Sequence, residues 1–213
     1  MNNTQQTNLI INNKSKIIIL HPAEDYQLDC CVEDSIIMAI GDVEIILASG
    51  SVYHHLQRLA FLLQRASLSL LVPHESITKD IGYLFNEYSA NICGEKQENQ
   101  TPLMYIEKNN EFYWPGNDCC LWAYDVTSWI YNKPDGSIVF EVTPRYPYMY
   151  YEPEEEPDYI PYEEWIKTYK PYFVTTLSKE TAQQWLEQAE HIIKIVEDNQ
   201  KRWDRRPKKD FES

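Results

Sequence analysis

The chain has 213 residues, a length suited to one domain, and 43% of them are hydrophobic, too many for a disordered chain. Its formal net charge of −14 sets an acidic field that disfavours nucleic acid and anionic membranes and favours basic partners. Five cysteines, with vicinal pairs at Cys30-Cys31 and Cys119-Cys120 and no CxxC, argue against a disulfide framework and against structural zinc.

The polar start MNNTQQTNLIINN has no basic n-region, and the apolar run 17–20 is too short for a signal peptide or a membrane span. A soluble, cytoplasmic protein with reduced thiols is therefore expected. Residues 1–13 read as a ragged start, 16–20 as a β-branched strand, and 26–32 as a further possible strand. Residues 35–48 read as a hairpin around Gly41-Asp42, with Ile40 facing Val43, Met38 facing Ile45 and Ile36 facing Leu47. Ser51 is placed to cap a helix to about residue 71, with Val52, Leu56, Leu59, Leu63, Ala66 and Leu70 in a stripe that Phe61 and Leu62 widen. Thr78 is placed to cap a second helix carrying Ile81, Leu84, Phe85 and Tyr88.

Short strands are expected at 103–107 and 111–114. Residues 121–144 then form the clearest hairpin, turning at Lys133-Pro134-Asp135-Gly136 and pairing Ile130 with Phe140 and Ser128 with Val142. One face holds Trp122, Tyr124, Val126, Ile130, Ile138, Phe140 and Val142 and is expected to be core. The other is mixed, with Asp125, Thr127, Trp129, Tyr131 and Glu141. Pro161 opens a short helix that Pro171 stops. Ser178 caps a last helix with Ala182, Trp185, Leu186, Ala189, Ile192, Ile193 and Val196 on one stripe, fading near Asn199. Hairpins beside segregated helices predict an α+β fold, an antiparallel β-sheet (hairpins 35–48 and 121–144) with helices packed on one side. The expected organisation is one domain over 1–200 and a basic tail over 201–213, either solvated or folded back on an acidic body of 13 bases and 30 acids.

Common catalytic patterns are missing. The six glycines are scattered and form no phosphate loop, and His54 and His55 are adjacent and lack the i,i+4 spacing of a helical zinc pair. No metal and no cofactor is expected. The stretch RYPYMYYEPEEEPDYIPYEEW, 145–165, is different. Four prolines keep most of it from being helix or central strand, six tyrosines alternate with seven acids, and no Lys or Arg lies within 146–165. Tyrosine offers large contact area with a polar handle, and carboxylates beside it can pair with a partner's Lys or Arg. The candidate contact residues are Tyr148, Tyr150, Tyr151, Glu154, Glu155, Glu156, Asp158, Tyr159 and Tyr162, with Trp129 and Asp125 as outliers. The competing reading is a solvated acidic loop.

The blocks LWAYDVTSWIYNKPDGSIVFEVTP, YEEWIKTYKPYF and SKETAQQWLEQAEHII resemble bacterial immunity proteins of contact-dependent growth inhibition and polymorphic-toxin systems. The likeness is one of type, small, acidic, aromatic-rich and α+β, and covers the C-terminal third to half. Such families share no motif, so no site residue carries over. The resemblance implies a non-enzymatic antidote that binds a cognate, basic toxin domain, such as a nuclease. Two other readings stand beside it: a hydrolase with a diffuse carboxylate site, and a regulatory binding protein without a toxin.

Overall fold

The computed structural model describes residues 4–24, 35–72, 80–93, 106–108, 111–113, 119–148 and 157–205. The fold is α+β, with two antiparallel four-stranded sheets and a separate two-stranded ribbon. The chain groups into two compact units, Met1–Ala60 with Gln183–Ser213, and Phe61–Ala182. Where the sequence suggested one sheet, each unit carries its own.

In the first unit, β1 (Thr4–Asn12), β2 (Ser15–Pro22), β3 (Ser35–Ile40) and β4 (Val43–Ser49) follow one another in chain order across the sheet. The start expected to be ragged is the strand β1. Its Leu9 pairs with Ile17, which pairs with Met38, and Ile19 pairs with Ile36. These five side chains are fully buried on one face. Each contributes about 1.5–3 kcal/mol through burial. The β3–β4 turn keeps the expected register at Ile40–Val43 and Met38–Ile45, with a positive φ at Gly41. A bulge between Ile36 and Ile37 then brings Ile36 opposite Ala48, not Leu47.

Two helices contribute to this unit. The first residues of α1 (Val52–Ser67) supply buried Val52, Leu56 and Leu59. The last helix, α4 (Lys179–Asp204), supplies Trp185, Ala189, Ile192, Ile195 and Asn199. The Trp185 indole N–H donates to the Ile10 carbonyl at 3.0 Å, and the Asn199 amide to the Ala23 carbonyl at 3.0 Å. That second tether explains why α4 passes the fading point expected near Asn199. Arg202, in the sequence's basic tail, is tied to the Glu24 carbonyl and to Asn199.

In the second unit, β7 (Cys120–Ala123), β8 (Val126–Asn132), β9 (Ile138–Pro144) and β10 (Phe173–Leu177) form the sheet. The β8–β9 register is the one the turn residues predict, with Ile130 opposite Phe140 and Ser128 opposite Val142. Gly136 takes the left-handed conformation, φ 85°, and its N–H donates to the Lys133 carbonyl. The sequence did not reveal that the chain also reverses at Tyr124-Asp125. Ala123 pairs with Thr127, so β7 is a strand of its own. Tyr124, expected in the core, is therefore at an exposed turn. The strand β10 is a further addition, pairing with β9 along five residues.

α1 ends at Ser67, earlier than expected. Ser69 has φ 54°, and Leu68, Leu70 and Phe61 are exposed, so neither Leu70 nor Phe61 extends the buried stripe. Past the helix end, Asn132 donates to the Ala66 carbonyl and accepts from the Leu71 N–H. The second helix, α2 (Ile81–Cys93), is capped by Asp80, whose Oδ1 accepts the Tyr83 N–H at 2.7 Å; Thr78 lies outside the described residues. The strands β5 (Ile106–Lys108) and β6 (Glu111–Tyr113) pair as expected. The proposed strand at 26–32 lies outside the described residues.

The expected mixed face of β8 and β9 is the main correction. α2 packs against both strands, and every residue of β8 and β9 except Tyr131 and Pro144 is buried. Gly82 makes this approach possible: a Cβ there would lie 2.4 Å from Thr143 Oγ1. Trp129 is fully buried under this cover, with its N–H donated to Thr143 Oγ1 at 3.0 Å and its ring edge-to-face with Phe85 at 5.2 Å. It is a core residue and not a contact for a partner.

Candidate functional site

The tyrosine stretch follows β9 and leads through Pro161 into the single-turn helix α3 (Tyr162–Trp165) and a 3-10 turn, Ile166–Thr168. Of the candidate contact residues, Tyr150, Tyr151, Glu154, Glu155 and Glu156 lie outside the described residues. Tyr148, Tyr159 and Tyr162 are half-buried, and Asp158 is exposed. Asp125 is exposed at the β7–β8 turn.

The described tyrosines are brought together around Tyr146, which is only 4% exposed. Its ring centre lies 5.8 Å from Tyr148, 5.5 Å from Tyr162 and 5.4 Å from Trp165. Tyr148 continues to Tyr159 at 5.3 Å, and Trp165 continues to Tyr169 at 5.9 Å and on to Tyr83 at 5.6 Å. All of these contacts are edge-to-face or tilted, the arrangement that ring quadrupoles favour. The row runs from Tyr159 to the first turn of α2.

Main-chain hydrogen bonds fix the row. The Tyr146 hydroxyl donates to the Ile160 carbonyl at 2.8 Å, and the Tyr148 hydroxyl to the Asp158 carbonyl at 2.8 Å. The Tyr146 N–H donates to Asn86 Oδ1 at 2.7 Å, while the Asn86 amide donates to the carbonyls of Gly82 and Pro144. Thus a buried asparagine of α2 joins the start of the stretch to the helix. Burial holds the Tyr146 and Tyr162 hydroxyls well above the ordinary tyrosine value, with nearby tyrosines and Glu163 adding to the effect. Both therefore stay neutral at physiological pH. The Tyr162 hydroxyl is buried without a hydrogen-bond partner among the described residues.

The rim is acidic. Asp158, Glu163 and Glu164 are exposed, and Lys167 pairs with Glu164 at 2.7 Å. That pair is surface-exposed and contributes little stability. The arrangement is a pinned aromatic surface with carboxylates beside it. It can contact apolar side chains and cationic groups together.

A second constellation lies at the inner end of the row, on the face of β9 under α2. Glu141 is 1% exposed, and its Oε2 accepts the Tyr131 hydroxyl at 2.7 Å. Its Oε1 has no hydrogen-bond partner among the described residues. Asp80 Oδ1 accepts the Tyr169 hydroxyl at 2.6 Å in addition to the Tyr83 N–H. Burial raises the Glu141 carboxyl to about 7, against the pull of the Tyr131 hydrogen bond; nearby Asp80 adds to the rise. Burial and the neighbouring carboxylates likewise raise the Tyr131 and Tyr169 hydroxyls. In the sequence Glu141 falls on the expected mixed face and is not among the candidate residues. The available signal was a lone carboxylate between Phe140 and Val142 in an otherwise apolar strand.

The first unit offers two smaller features. His21 is buried and lowered by that burial; its Nδ1–H donates to the Pro22 carbonyl, leaving Nε2 to accept the Thr7 hydroxyl at 2.9 Å. A hollow of about 260 Å³ is lined by Glu24, His191, Lys194, Ile195, Asp198 and Arg202, with both signs of charge. No group of three or more His, Cys, Asp or Glu is placed to hold a metal among the described residues. No described helix is long and apolar enough to cross a membrane.

Comparison with protein-family models, with curated proteins and with solved structures finds no match.

Proposed function

We propose that this chain is a stoichiometric binding protein, a cytoplasmic immunity protein that captures and neutralises a cognate basic toxin domain. The observation that carries the reading is the pinned row Tyr146–Tyr148–Tyr159 and Tyr162–Trp165 beside the exposed acids Asp158, Glu163 and Glu164. Preordered rings lower the entropy lost on binding, and the net charge of −14 draws in a basic partner. The partner-facing surface in this reading is Tyr148, Tyr159, Tyr162 and Asp158, together with Tyr150, Tyr151 and Glu154, Glu155 and Glu156 in the same stretch.

A hydrolase would need carboxylates open to substrate. The convergent carboxylate of Glu141 is 1% exposed beneath α2, which suits an interior role better than attack on a substrate.

The test is whether a toxin domain is encoded beside this chain and, if so, whether the two associate. Reversing Glu154, Glu155 and Glu156 to Lys is expected to slow association by about tenfold or more and flatten its salt dependence. Tyr148→Ala with Tyr159→Ala is expected to speed dissociation. If the kinetics are unchanged by both sets, the stretch is not the contact surface. If the toxin domain stays fully active with excess protein, the pairing is wrong.

A further inference from the structure

The connection between the aromatic row and the sheet passes through two carboxylates. Asp80 accepts both the Tyr83 N–H and the Tyr169 hydroxyl, so it caps α2 and anchors the end of the row with one oxygen. Glu141 sits nearby, wholly buried, with one oxygen bonded to Tyr131 and the other unpartnered. The groups that face this pair come from every element around it. β8 provides the Tyr131 hydroxyl, Thr127 and Trp129; β9 provides Thr143; α2 provides the Gly82 amide; the chain after α3 provides Tyr169; and Cys119 lies near Tyr131. No lysine or arginine forms an ion pair with either carboxylate among the described residues. A bare carboxylate oxygen in such a place is costly, and a second carboxylate beside it adds to the cost.

We propose that Glu141 and Asp80 form a proton-operated latch. A proton taken from solvent onto Glu141 Oε1 holds the first turn of α2 and the Tyr169 end of the aromatic row against β9, and its loss slackens that hold. Asp80 is the acceptor at the start of α2. It receives two hydrogen bonds at a helix N-terminus, a position that suits negative charge. Glu141 is wholly buried, and the Tyr131 hydroxyl and the Gly82 amide that face it do not offset the cost of burying its charge, so the proton goes there. Ionised Glu141 then repels Asp80, and the displacement falls on the Tyr169 and Tyr83 bonds that Asp80 accepts.

The direction of the pH dependence follows from linkage. The folded carboxyl is raised from its ordinary value to about 7. The folded state therefore keeps a proton that the unfolded chain releases. The stability this contributes is full below the ordinary carboxylate range and is lost as pH rises through about 7. The latch concerns the chain alone and stands or falls separately from the proposed toxin partner.

The experiment uses the full-length protein. Urea midpoints and amide exchange at Tyr83 and Tyr169, corrected for intrinsic rates, are followed from about pH 5 to about pH 8. The native protein is expected to lose stability and to open at these two amides by more than about tenfold over that range. Glu141→Gln should remove that component of the slope, and Asp80→Asn should move the inflection to lower pH. The carbon-13 carboxyl resonance of Glu141 in the native protein gives a readout that does not depend on a variant folding. A midpoint near neutrality supports the latch. A midpoint in the ordinary carboxylate range overturns it, and so does a Glu141→Gln protein with the native pH slope.

Discussion

The two four-stranded sheets share a topology and differ in what they do with their second face. Each is antiparallel, with strands in chain order from edge to edge. In the β1–β4 sheet one face is apolar and sealed by Leu9, Ile17, Ile19, Ile36 and Met38. On its other face Lys16, Ile18, Leu20 and Ile37 are half-buried, and Ile10 and Ile46 are exposed. In the β7–β10 sheet α2 closes the second face over β8 and β9, and the residues sealed there include Thr127, Trp129, Glu141 and Thr143. The first sheet is stabilised by apolar burial from one side. The second is buried on both, and its extra layer is polar, where every unpaired atom costs more than in the open. Specificity and pH sensitivity are expected to reside in that polar layer, and bulk stability in both.

The comparison can be tested by substitutions matched across the two sheets. The largest effect is expected for Trp129→Ala, at about 3–5 kcal/mol in urea unfolding. Ile18→Ala, on the second face of the other sheet, should cost under about 1 kcal/mol. Equal costs would break the contrast. Asp80→Ala removes the α2 cap and the acceptor for Tyr169, with an expected loss of about 1–2 kcal/mol. Its thermal transition should fall by a few degrees. The smallest effects are expected at Ile46→Thr and Val174→Thr, which sit at 46% and 54% exposure on β4 and β10. Each should stay within about 0.5 kcal/mol of the native protein in the same urea assay. A larger shift at Val174 would mean that the closed second face extends past β9.

Much of this architecture was legible from local pattern. The Gly41 and Gly136 turns fixed the registers of two hairpins because turn type and hydrophobic alternation agreed. Ser178 caps α4 as expected, accepting the Thr181 N–H at 3.0 Å. What escaped depends on contacts distant in the chain. The start of the chain is polar by composition, and Thr4–Asn12 form β1 where Leu9 meets Ile17. Trp129 and Glu141 read as a surface mixture until α2 covers them, and that crossing is set by Gly82 against Thr143, positions no local window holds together. The tyrosine stretch was visible as composition. The placement of Tyr146 and Tyr148 comes from Asn86 and the carbonyls of Asp158 and Ile160, which no spacing rule connects to them.

The close approach of Gly82 also limits how this sequence can drift over generations. A Cβ at 82 would meet not only the hydroxyl and methyl of Thr143 but also its Cβ, at 2.6 Å. Replacing Thr143 by alanine or serine therefore opens no path to a side chain at 82. Glycine at 143 would remove those three atoms, but it would take away the acceptor for the Trp129 indole. Substitution at 82 thus needs changes at 143 and 129 as well, and each intermediate along that route is less fit to fold than the chain it came from. Among diverged descendants of this sequence, Gly82, Thr143 and Trp129 should be kept or lost together.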